Sequence, residues 1–305
     1  MKDFAGRTAF VTGGANGVGI GIVRNLLNEG VKVAIADIRQ DAIDAALATL
    51  DNREVIGVQL DVASRDGFRA AADKVEAELG PVSLLFNNAG VNLFQSIEDS
   101  SYDDWDWVMG VNLHGVINGV MTFAPRMKAR AQSGEVTSGH IVNTASMASF
   151  IAGGSPGIYN TTKFAVRGLS YSLRHSMVEY GIGVSVVHPG LVKSYIYASD
   201  DVRPEELKGA MKPVDQAWVK RLEGVHEFGM EPDTIGARIL DGIRENRANI
   251  FTHPDHKDEL EEMFDEILAD YRDYPDDAGH DQRVAFEKVR RDNFAATRRK
   301  AREMQ

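Results

Sequence analysis

The chain is expected to fold as an α/β domain, a doubly wound parallel sheet followed by a C-terminal helical extension. Short apolar runs alternate with helical patterns over roughly the first two thirds of the sequence. The intervals between runs are too long for hairpins, so successive strands must be joined by helical crossovers and lie parallel. A glycine-rich turn, Thr12-Gly13-Gly14-Ala15-Asn16-Gly17-Val18-Gly19, follows the first run and opens the first helical pattern, which makes the sheet Rossmann-like.

The elements follow in order. Thr8–Thr12 reads as a buried strand and Val18–Glu29 as a helix stopped by Gly30. Lys32–Asp37 is the next strand, Gln40–Leu50 an alanine-rich helix, Val55–Leu60 a strand and Arg65–Leu79 a helix. Val82–Phe86 is a strand, and Tyr102–Arg130 a long helical stretch. Gln132–Gly139 reads as a surface loop, Ile141–Ala145 as a strand, Ile158–Tyr180 as a helix and Val184–Val187 as a sixth strand. No internal repeat or low-complexity linker interrupts them. Residues 1–250 therefore form one domain, including a segment over 195–230 long enough to act as a lid, and 251–305 form the extension.

Composition narrows the function classes. Hydrophobic residues at 43% and charged residues at 26% suit a globular protein. No apolar run approaches the ~20 residues of a spanning helix. A net charge of -11 argues against nucleic acid or an anionic membrane as partner. Zero cysteines exclude disulfides, thiolate metal sites and cysteine nucleophiles. Met1–Arg7 leads straight into the first strand, so no signal peptide and a cytoplasmic location are expected. His253 and His256 flank Pro254-Asp255 without a third ligand, so no metal site is expected.

Ligands of such sheets sit beyond the carboxyl ends of the strands, and the polar residues of interest cluster there. Gly13, Gly17 and Gly19 permit a tight turn in which the backbone of Asn16, Val18 and their neighbours approaches a pyrophosphate at the helix N-terminus. Asp37 ends the second strand, where a carboxylate binds ribose hydroxyls and repels a 2'-phosphate; it could instead cap the next helix. NAD is thus expected over NADP. Asp61-Val62 ends the third strand near an adenine, and Asn88-Ala89-Gly90 follows the fourth with small residues beside the cofactor; both also suit plain turns.

Ser146, at the end of the fifth strand, precedes Tyr159 by thirteen residues, and Lys163 follows four later on the same helical face. A tyrosine of ordinary pKa ≈ 10 is a poor base, but a nearby ammonium and a positive nicotinamide favour its phenolate. Tyr159 can then exchange a proton with an alcohol as hydride moves, and Ser146 can hydrogen-bond the substrate oxygen. Asn112 lies mid-helix between Gly110 and Gly115, a combination that favours a local distortion.

In order and spacing these residues resemble the short-chain dehydrogenase/reductase family over about residues 5 to 250. The resemblance implies a catalytic tetrad of Asn112, Ser146, Tyr159 and Lys163, with Lys163 also on the nicotinamide ribose. It implies that Pro189-Gly190-Leu191-Val192 borders the nicotinamide, with Ser194 where threonine is frequent, and that the chain forms a homodimer or homotetramer through its long helices. Tyr102–Trp107 and Gly110–Gly119 are similar, more narrowly, to the Cα-dehydrogenases of lignin-derived aryl ethers, which oxidise a benzylic alcohol with NAD.

Substrate choice is expected from Ser146, Tyr159, Asn92, Phe94, Met147, Phe150, Tyr195, Ile196 and Tyr197, and the apolar and aromatic content of the segment over 195–230 suits a bulky substrate better than a small acid. Other readings stay open: a hydroxysteroid or other bulky-alcohol dehydrogenase, an NADP-linked ketoacyl reductase, or a dinucleotide sensor without chemistry. In the extension, Leu260, Met263, Phe264, Ile267 and Leu268 share a helix face, and the last stretch is basic. That stretch could pair with the acidic helix, cover a neighbouring subunit or stay solvated.

Overall fold

In a computed structural model describing residues 3–50, 54–135, 138–208 and 216–304, the strands are β1 (Thr8–Thr12), β2 (Lys32–Asp37), β3 (Val55–Gln59), β4 (Val82–Asn87), β5 (Gly139–Thr144), β6 (Ile182–His188) and β7 (Asn249–Phe251). They form one parallel sheet in the order β3-β2-β1-β4-β5-β6-β7. Strand order reverses between β1 and β4, which opens a crevice at their carboxyl ends. The four central strands β1, β4, β5 and β6 are buried throughout, as continuous apolar runs require.

Helices cover both faces. On one side lie α1 (Gly17–Asn28), α2 (Gln40–Ala48) and α8 (Pro232–Arg244). There Ile22, Val23 and Leu26 meet Val33, Ile35 and Ile239. On the other lie α3 (Arg65–Leu79), α5 (Gly115–Ser133) and α6 (Gly157–Met177). Alternation along β1 sends Ala9 and Val11 to the first side and Phe10 to the second. Phe10 joins Phe123 and Phe68 there, at ring separations of 4.9 and 5.8 Å.

The long helical stretch is broken. α4 (Tyr102–Met109) starts at a capping box between Ser101 and Asp104 and gives way to a π turn over Gly110–His114 before α5 begins. This is the distortion expected at Asn112. α5 runs on to Ser133, so the expected loop from Gln132 begins later; residues 136–137 of that loop lie outside the described residues. The expected helix to Tyr180 ends as a 3-10 turn over Val178–Tyr180. α8 and β7 were not among the expected elements.

The segment over 195–230 contains 3-10 turns at Ile196–Val202 and Glu205–Leu207, then α7 (Gln216–His226); residues 209–215 lie outside the described residues, as do 1–2. The extension forms α9 (Lys257–Ala269) and α10 (His280–Glu303). α10 is tied down near its end, where Ala301 is buried and its carbonyl accepts from Asn246 at 2.6 Å. Val284, Phe286 and Val289, nearer its start, are exposed. Among the described residues no helix is long and apolar enough to cross a membrane, and no cluster of three metal-ligating side chains occurs.

Candidate active site

A cavity of about 730 Å³ opens at the carboxyl ends of the central strands. Its first wall is the turn between β1 and α1. Gly13 has φ +59°, and a Cβ there would lie 2.8 Å from Ala89 Cα. A Cβ on Gly19 would sit 1.9 Å from the Gly13 carbonyl oxygen, so both positions demand glycine. Gly19 therefore packs behind the turn, while Gly13, Asn16, Gly17 and Val18 line the cavity. Asn16 caps α1 without a side-chain bond to its first turn, which leaves that turn's N–H groups for an anion.

Further strand ends complete this side. Asp37 accepts from the Arg39 and Ala15 N–H groups at 3.2 and 3.3 Å. Burial raises its pKa, and these backbone bonds oppose the rise. The Arg39 guanidinium is engaged by Asp41. Asp61 and Val62 line the cavity below β3. Asn88 is a staple between strand ends: its Nδ2 donates to Thr12 O at 3.2 Å and Gly13 O at 3.3 Å, and its Oδ1 accepts from Thr144. Ala89, Gly90, Pro189, Gly190, Val192 and Ser194 line the far side. A dinucleotide fits these residues: glycines crowd the turn, helix N–H groups are open, and a carboxylate stands at the end of β2.

Ser146, Tyr159 and Lys163 line the middle of the same cavity. Lys163 Nζ donates to the Thr144 carbonyl at 3.0 Å and stands 5.2 Å from the Tyr159 ring centre. Burial holds its pKa down, to about 8. Burial likewise raises the Tyr159 phenol, and the adjacent Ser146 hydroxyl partly offsets this. Asn112 does not line the cavity. It is fully buried in the π turn, where its Oδ1 accepts from Val91 N–H at 2.8 Å and its Nδ2 donates to Val91 O at 2.9 Å. Nδ2 also lies 3.2 Å from Thr162 Oγ1, which donates to the Tyr159 carbonyl. Asn112 thus ties the segment after β4 to the turn of α6 that bears Tyr159.

Phe94, Met147 and Tyr195 line the outer part of the cavity, as do Asn92 and Ile196. Phe150 corrects the expectation. The turn after Ser146 carries it away from the cavity, and its ring packs against His188, Phe251 and Phe264 at 4.8, 5.8 and 6.2 Å. Tyr197 is also absent from the lining; its ring packs at a tilt against that of His226, 5.2 Å away. Sequence reasoning missed Trp107, Val111, Leu222, Val225 and His226. Trp107 was visible as an aromatic beside the broken helix, but α7 gave no local signal of where it would fold.

Comparisons with known proteins agree with this geometry. The sequence pattern of the family described as short chain dehydrogenase matches residues 7–203. A curated relative, C alpha-dehydrogenase of Sphingobium sp. (strain NBRC 103272 / SYK-6), is 38% identical over 271 residues, 88% of this chain and 87% of the relative. A solved short-chain dehydrogenase from Novosphingobium aromaticivorans superposes with a TM-score of 0.88 at 65% identity, covering 99% of this chain and 100% of that one. A short chain dehydrogenase/reductase from Burkholderia phymatum in complex with NAD gives 0.83 at 33% identity, covering 91% and 100%. The chain is an oxidoreductase of the short-chain dehydrogenase/reductase family.

Proposed function

We propose that the protein is an NAD-dependent dehydrogenase interconverting a bulky secondary alcohol and its ketone, and that its substrate class is the benzylic alcohol of lignin-derived aryl ethers. The observation that carries this reading is one cavity whose reacting triad, Ser146, Tyr159 and Lys163, faces an outer wall of Phe94, Trp107, Tyr195 and Leu222. Such a wall suits an aryl group better than a small acid. The relative named C alpha-dehydrogenase supports the substrate class.

When bound, the nicotinamide supplies the hydride acceptor. Ser146 donates to the substrate oxygen and holds it beside Tyr159, which takes the hydroxyl proton. Lys163, protonated, favours the phenolate against the burial that raises it. Asn112 keeps Tyr159 in place through Thr162. Asp37 selects NAD, because a 2'-phosphate would meet its carboxylate while Arg39 is turned to Asp41. Exposed Met121, Phe164 and Tyr171 on α5 and α6 are the apolar surface that a homodimer or homotetramer through these helices would cover.

The test is reduction of NAD or NADP, followed by absorbance, with benzylic aryl-ether alcohols, hydroxysteroids and simple aliphatic secondary alcohols. NADH formation, fastest with the benzylic alcohols, is expected. Preference for aliphatic alcohols would overturn the substrate class, and preference for NADP would overturn the role of Asp37.

A further inference from the structure

The loop after β6 is held by a side chain that none of the roles above uses. His253 follows β7 and is 7% exposed. Its Nδ1 lies 2.9 Å from the Gly190 backbone nitrogen, and its Nε2 lies 2.9 Å from the Leu191 carbonyl oxygen. A peptide N–H only donates and a carbonyl only accepts, so these two groups fix the tautomer: Nδ1 bare, Nε2 protonated. Burial lowers the His253 pKa, which favours the neutral ring both bonds need. Thr252 Oγ1 also lies 2.9 Å from Nδ1, and the Thr252 carbonyl accepts from Arg238, so the ring's own backbone is held from behind.

The opposite side of the loop is bonded to the turn that bears Ser146. The Pro189 carbonyl accepts from Met147 N–H at 3.0 Å, in the turn that begins at Ser146. One peptide, Pro189–Gly190, is therefore gripped by its oxygen from the serine turn and by its N–H from His253. The Leu191 carbonyl also accepts from Met230 N–H at 2.9 Å, which fixes the Leu191–Val192 peptide. No side chain fits between loop and ring, since a Cβ on Gly190 would lie 3.0 Å from His253 Cγ.

We propose that His253 is a positioning residue for the nicotinamide end of the cofactor: by bonding the Pro189–Gly190 and Leu191–Val192 peptides it holds both ends of the Gly190–Leu191 segment and sets the Pro189–Gly190–Leu191 surface on which that ring rests. This builds on the reading that the loop borders the nicotinamide. His253 bonds this loop and Thr252 and does not itself line the cavity, so its loss weakens ligands only through their nicotinamide half.

The experiment compares binding of NADH and of ADP-ribose, which lacks the nicotinamide, to the wild-type chain, His253→Phe and His253→Gln. Phenylalanine fills the space without either bond, whereas glutamine offers one acceptor and one donor. His253→Phe is expected to bind NADH about tenfold more weakly, the scale of one to two lost hydrogen bonds, with ADP-ribose unchanged. His253→Gln is expected to recover most of the loss. Equal weakening of both ligands, unchanged NADH binding in His253→Phe, or a glutamine variant no better than the phenylalanine one would each overturn the proposal. Wild-type protein on which bound NADH kept the fluorescence of the free molecule would remove the loop reading itself, a failure distinct from that of His253.

Discussion

Lys163 carries opposed demands. Its burial in the cavity wall lowers its pKa from 10.5 to about 8, while its proposed task needs the ammonium. Between those values the unfolded chain binds the proton and the folded chain does not, so the penalty is full below pH 8 and fades as pH rises toward 10.5. Lys163→Met is therefore expected to gain about 3 kcal/mol near neutrality, less at high pH, while losing turnover. Urea unfolding at two pH values checks this; an equal or lower stability at neutral pH would count against it. The Ser146, Tyr159 and Lys163 spacing was legible because each proposed role belongs to the residue's own side chain. Phe150 was misread because an aromatic four residues after Ser146 resembles a pocket residue, and only the intervening turn shows that it joins Phe251 and Phe264. His253 was considered only as a metal ligand and set aside, because its partners are backbone atoms more than sixty residues away in sequence.

At the scale of elements, the segment after β6 is fastened to α4 by a buried ion pair. Arg203 Nη1 meets Asp104 Oδ1 at 2.6 Å, with side chains 0% and 5% exposed, and the guanidinium lies 5.0 Å from the Trp107 ring centre. Ser199 Oγ, in the 3-10 turn just before Arg203, accepts from Asn92 N–H at 2.9 Å. Removing one partner of a buried pair strands the other charge. Asp104→Ala is expected to destabilise the protein by about 3–5 kcal/mol and to raise KM for the alcohol more than it lowers kcat. Unfolding midpoints and steady-state kinetics measure both, and an unchanged midpoint would contradict the anchor. Asp104 was legible only within the acidic start of a helix; its partner ninety-nine residues on was not. The π turn was foreshadowed by Gly110, Asn112 and Gly115. β7, at three residues, is too short to show a pattern.

Over the whole molecule, the parallel sheet and its helix layers follow from apolar strands alternating with amphipathic helices, and that much the sequence displayed; the strand order is visible only in the structure. Burial of polar groups inside the sheet was not displayed. His140 on β5 and His188 on β6 are fully buried, at 2.8 Å from Ser185 Oγ and 3.0 Å from Asn249 Oδ1. Burial lowers their pKa values from 6.5, to about 3 and about 4. The unfolded chain protonates both first, so stability is full above pH 6.5 and is lost as pH falls toward 4. His140→Asn is expected to reduce the slope of unfolding free energy against pH in that window by about one proton; an unchanged slope would show that His140 is not held neutral.

The central claim is that Tyr159 moves the proton of the alcohol. Tyr159→Phe keeps the ring beside Lys163 and removes only the phenolic oxygen. Alcohol oxidation is expected to fall at least about a hundred- to ten-thousand-fold while NADH binds as before. Turnover close to that of the wild-type protein, with binding intact, would contradict the assignment.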